Sequence, residues 1–127
     1  MKDKRGFTLI ELLAVIVILA IILVIVLPKA LEVVENSKRG SIESSTKLIA
    51  SQIEKKYIEN TMLEKENPKA VNCSDVTNIV EDLDLSECEV SISDLGIASV
   101  TKVKGLGSGK FAGYTCSGTK SSATCTK

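Results

Sequence analysis

Hydrophobic patterning divides the chain before any other property does. From Leu12 to Leu27 every residue is Leu, Ile, Val or Ala, and counting from Phe7 gives 21 residues interrupted only by Thr8 and Glu11. At about 1.5 Å per residue, a helix of that length spans roughly 30 Å, the thickness of a bilayer core. A soluble core helix is seldom apolar on every face for so long. Beyond Pro28 the pattern becomes amphipathic. Ile42, Thr46, Ile49, Ile53 and Tyr57 step by three or four and mark one face, with Lys47, Glu54, Lys55 and Glu59 mostly off it. The spacing predicts one long helix from Phe7 to about Leu63. Its weak points are Pro28, which removes a backbone hydrogen bond, and Gly40, which costs about 1 kcal/mol relative to Ala.

Asn67-Pro68 ends the helical region and opens a loop. Ser74 is placed to cap a short helix from Asp75 to Leu83. Period two then takes over: Cys88, Val90 and Ile92 alternate with Glu89, Ser91 and Ser93, the pattern of a half-buried strand. Further strands are predicted over 98–104, 110–116 and 122–126. The run Gly105-Leu106-Gly107-Ser108-Gly109 lacks the G-x-x-x-x-G-K-[ST] spacing and a following helix, so it reads as a hairpin loop and not a phosphate cradle.

Composition narrows the chemistry. The absence of His excludes Ser-His-Asp and Cys-His catalysis and any His metal ligand. With no Trp and only two Phe and two Tyr, there is little to stack against single-stranded bases. This favours a structural or interaction protein over an enzyme. The 16 basic and 16 acidic residues cancel, but they are segregated. Lys2, Lys4 and Arg5 precede the apolar run, which places the N-terminus in the cytoplasm and Lys29 outside. Residues 29–94 carry a net charge of −6, whereas residues 95–127 hold five lysines and no acid. That split suggests complementary surfaces on neighbouring subunits, or lysines facing water.

Glu11 is the residue that the apolar run does not explain. An unpaired carboxylate in a membrane helix costs a few kcal/mol and by default implies a partner or a function. No Lys or Arg lies within residues 7–28 to pair with it. One reading keeps the carboxyl near the headgroups. The sharper one gives it a partner on another chain, or an amino group freed by cleavage at residue 7. Ordinary signal-peptide cleavage does not fit, because the run exceeds the usual 7–15 residues and ends in Leu27-Pro28-Lys29 without an A-x-A-like site.

The segment Lys4-Arg5-Gly6-Phe7-Thr8-Leu9-Ile10-Glu11-Leu12-Leu13 resembles the class III signal peptides of type IV pilins and their relatives in type II secretion and DNA uptake. The short leader is similar to the type IVa class. The resemblance implies that a prepilin peptidase cuts between Gly6 and Phe7 and methylates the new Phe7 amine. It also implies that this amine pairs with Glu11 of a neighbouring subunit. Residues 1–6 are then a leader, 7–28 a transmembrane and assembly helix, and 29–127 a pilin globular domain that includes the second half of the long helix. The fold expected is α+β, with that helix packed on a small antiparallel sheet.

Pro28 matches a proline common in pilins and is the expected helix kink, from which melting could extend upstream in a fibre. Many members carry Gly eight residues before it, where this chain has Ala20. The implied function is that of a pilus subunit, major or minor, forming a homo-polymer driven by a cytoplasmic ATPase and a membrane platform protein. The subunit would reside in the cytoplasmic membrane before assembly and in an extracellular fibre afterwards, with no cofactor.

Three alternatives stand beside it. Major type II secretion pseudopilins bind calcium through C-terminal carboxylates, of which residues 95–127 have none. A competence pilin would use the five lysines on DNA phosphates. An uncleaved signal-anchored membrane protein would keep Met1 and form no polymer.

Cys73, Cys88, Cys116 and Cys125 contain no C-x-x-C and give no zinc pattern. All four follow the membrane segment and fall in a compartment where disulfides persist. Of three possible pairings, the local one is expected: Cys73–Cys88 across the short helix and Cys116–Cys125 across a terminal hairpin. Asn72-Cys73-Ser74 fits the glycosylation acceptor pattern, a triplet short enough to arise by chance.

Overall fold

The computed structural model describes residues 6–63, 70–76 and 80–127. The basic leader residues Lys2, Lys4 and Arg5, the Asn67-Pro68 loop and part of the expected short helix lie outside them. The chain forms two compact units, one up to Asn36 and one from Ser37 onward. A single helix, α1 (Leu9–Leu63), runs through both, uninterrupted at Pro28 and at Gly40. Pro28 still withholds an N–H from the carbonyl of Val24, one turn before it. In the first unit the apolar side chains of α1 are exposed on every face.

In the second unit α1 turns one face inward. Ile42, Thr46, Ile49, Ala50 and Ile53 are fully buried, and Tyr57 is half-buried against the same core. Thr46 is tolerated there because its hydroxyl donates to the Ile42 carbonyl at 2.8 Å. The sheet that covers this face has five antiparallel strands: β1 (Leu83–Asp84), β2 (Glu89–Ile92), β3 (Ala98–Gly105), β4 (Thr115–Gly118) and β5 (Ala123–Thr126). β3 is central. β1 and β2 pair with its two ends along one side, while β4 lies on the other side and β5 beyond it. Ala98, Val100 and Val103 of β3 meet the helix residues in the core, together with Val71, Val76, Phe111 and Tyr114. This is the α+β architecture of a pilin-like protein.

Two local expectations are corrected. Residues 75–83 do not form one helix: a 3-10 turn occupies Cys73–Val76, and Leu83 pairs with Gly105 in the sheet. The turn is capped by Asn72 and Asp75, since the Asn72 N–H donates to Asp75 Oδ2 at 2.9 Å. Asp82 then takes a left-handed conformation, φ 64°, which no continuing helix permits.

The strand expected over 110–116 begins only at Thr115. Phe111 and Tyr114 are both buried. A spacing of three cannot place both on one face of a strand, so the chain turns, with the Tyr114 N–H donating to the Phe111 carbonyl at 3.1 Å. Gly105 closes this loop, for a side chain there would overlap the Phe111 carbonyl.

Candidate assembly site at the N-terminal end of the long helix

Gly6, Phe7 and Thr8 precede the first helical residue and are exposed, non-helical backbone. Every helix begins with N–H groups that have no partner in the preceding turn. Here two of the side chains nearby supply partners. The Glu11 N–H donates to Thr8 Oγ1 at 3.3 Å, and the Thr8 N–H donates to Glu11 Oε2 at 3.0 Å. This reciprocal pair is a capping box, with Thr8 as the N-cap and Glu11 three residues inside. The Leu12 N–H closes the first helical turn on the Thr8 carbonyl at 3.1 Å. The negative carboxylate also sits at the positive end of the helix dipole.

Glu11 thus has a partner within its own chain, which a search for Lys or Arg does not find. The signal was in the sequence as Thr8-x-x-Glu11 just before an apolar run. Chemically, the carboxylate is held against the backbone of residue 8. Residue 8 directly follows Phe7, whose nitrogen cleavage after Gly6 would turn into an amine. The apolar segment that follows has no protein cover in this chain and suits a bilayer or a bundle of like helices. Pro28 lies within the same helix, near the end of that segment.

A family model for the prokaryotic N-terminal methylation motif matches residues 1–27. The chain carries a prokaryotic N-terminal methylation motif. This motif is a class III signal peptide, consistent with the type IV pilin family, and it supports a pilin-like or pseudopilin precursor. It indicates a structural protein and fits membrane anchoring before assembly. No curated protein and no solved structure matches the chain.

The cysteines and charges of the second unit complete the candidate surfaces. Cys73 is bonded to Cys88 and Cys116 to Cys125, with Cα separations of 6.0 and 4.1 Å. Cys116 and Cys125 are also direct partners across β4 and β5. Two such bridges contribute about 2–4 kcal/mol each to a body with a small core.

The acidic middle and the basic tail meet inside one chain. Lys102 pairs with Glu89 at 2.6 Å, Lys104 with Glu87, Lys110 with Asp82 at 3.8 Å and Lys120 with Glu54 at 2.8 Å. Lys127 lies 5.3 Å from the centre of the Tyr114 ring. The charge split is therefore bridged within the chain at these four pairs. A DNA phosphate would have to compete with these acids.

One of the four pairs is unlike the others. Glu54, expected off the buried face, is only 6% exposed. Burial pushes its pKa up, but hydrogen bonds from Lys120 and from the Ala98 N–H, with the charge of Lys120, more than offset this. The net pKa lies below the ordinary glutamate value of 4.5.

Proposed function

We propose that the chain is the structural subunit of a type IV pilus, either major or minor. Prepilin peptidase would cut it between Gly6 and Phe7 and methylate Phe7, and the mature helix would leave the bilayer to pack with copies of itself in a fibre. The observation that carries this reading is the methylation motif, together with one carboxylate at the start of an otherwise uncharged apolar segment, residues 7–28. In the membrane the capping box supplies Glu11 with a partner. In the fibre, the Phe7 amine of a neighbouring subunit supplies the counter-charge.

Pro28 allows the helix to loosen during packing, because one backbone bond is already missing there. The disulfide-bonded body forms the fibre surface. An assembly ATPase and a platform protein provide the work, and the subunit catalyses nothing.

Mass spectrometry of the N-terminal peptide tests the proposal. A methylated Phe7 terminus, recovered from sheared fibres, is the expected result. An intact Met1 terminus would identify a plain signal anchor. A methylated terminus confined to membranes would place the chain among pseudopilins or other non-fibre relatives.

A further inference from the structure

The pairing of β3 with β4 is interrupted. Val103 faces Cys116 and Lys104 faces Thr115, but Val100 faces Gly118, so β3 contains one residue more than β4 between these pairs. Lys102, with φ 57°, occupies the bulge. Beyond the bulge only the pair Val100–Gly118 continues the ladder. Two residues further on each strand, that register would set Ala98 opposite Lys120.

No ladder bond forms there. Instead, the Glu54 carboxylate from α1 stands between the two positions. It accepts the Ala98 N–H on Oε1 at 3.0 Å and the Lys120 ammonium on Oε2 at 2.8 Å. The Ala98 N–H is free to reach it because the neighbouring Ile97 N–H and carbonyl face Ser93, toward β2. Lys120 lies in the turn joining β4 to β5, which the Thr119 N–H closes on the Ser122 carbonyl at 2.7 Å. The hairpin that carries it is also closed by Cys116–Cys125.

We propose that Glu54 is a surrogate rung: a helix side chain that joins Ala98 to Lys120 and so sets the strand register beyond the bulge. A one-residue change of register reverses which side chains face the core. Val100 and Val103, both fully buried, can share one face only if the bulge stays between them. The rung holds the short end of the ladder in the register that requires this bulge. Its role is specificity of arrangement, the best-attested use of a buried charged group such as the Glu54 carboxylate. The outer strand β5 follows, because it is carried by β4.

Residue-resolved amide hydrogen exchange on the full chain in detergent micelles tests this. Lys120 is more than half exposed, so Lys120→Met empties no part of the core. The expected result is exchange at least fivefold faster at Ala98 and Val100, with Val103 and the β2–β3 amides unchanged. Lys120→Arg should restore the wild-type pattern. A smaller change at Ala98 and Val100 overturns the proposal, as does uniform acceleration across all strands. Failure of Lys120→Arg to restore protection overturns it too, because the site would then respond to packing and not to charge.

Discussion

Replacing Glu11 by leucine separates the two environments that this side chain is proposed to occupy. In the membrane the change removes a carboxylate whose insertion costs up to about 3 kcal/mol at the bilayer centre, and less near the headgroups. It also removes the acceptor for the Thr8 N–H, a cap contribution of about 1 kcal/mol. These effects oppose each other, so the membrane form should be unchanged or slightly more stable. In the fibre, the Phe7 amine would be left buried without its counter-charge, at a cost of about 3–5 kcal/mol.

The balance then moves against the fibre by about 3 kcal/mol or more per subunit, roughly a hundredfold. The assay is the amount of cleaved subunit in sheared fibres relative to membranes. Cleavage itself should be normal. Glu11→Gln sharpens the test, since its amide oxygen keeps an acceptor for the Thr8 N–H but carries no charge. Both variants should assemble poorly. Wild-type fibre yield from either one refutes the charge-pairing role.

Three further outcomes are expected. Thr8→Val removes the hydroxyl that accepts the Glu11 N–H and should lower helix protection at residues 9–12 by about 1 kcal/mol, whereas Thr8→Ser retains it; hydrogen exchange in micelles measures both. Gly105→Ala should destabilise the second unit by about 2 kcal/mol or more, because the new methyl group meets backbone and not a movable side chain; thermal unfolding compared with Gly107→Ala, which has open space, checks this. The folded pKa of Glu54 lies below its unfolded value, so its stabilisation is present above the ordinary glutamate pKa and is lost as pH falls through the folded value. Wild type should therefore lose thermal stability in acid more steeply than Glu54→Gln, and parallel pH profiles would contradict the assignment.

The N-terminal half was legible because its physics is local. An apolar run, a leading basic cluster and a lone carboxylate each have meaning without tertiary contacts. The Thr8-x-x-Glu11 box was readable by the same means, whereas the strand expected over 98–104 carries a bulge that only its pairing with β4 reveals. There the inward positions Ala98, Val100 and Val103 break the alternation of two by one residue. The segment 75–83 misled because a plausible cap and mixed polarity suit a helix. Sheet pairing of Leu83 with Gly105 and the left-handed Asp82 decided otherwise. Residues 110–114 misled because two aromatics in a short run suggest a strand, while burial of both required a turn.

By itself the sequence determined that this chain has a bilayer-length helix, a methylation motif at its start, an amphipathic continuation and a small disulfide-bonded sheet. Those properties follow from residue type and from periods of 3.6 and 2. Only the tertiary structure decided where the charges act. Glu54 differs little from its exposed neighbours in sequence, yet folding brings it to Ala98 and Lys120, 44 and 66 positions away. Likewise, the tail lysines find acids on adjacent segments of their own chain. Pairing of charges depends on distances of a few ångströms, and the distance between remote residues is set by folding and not by their order in the chain.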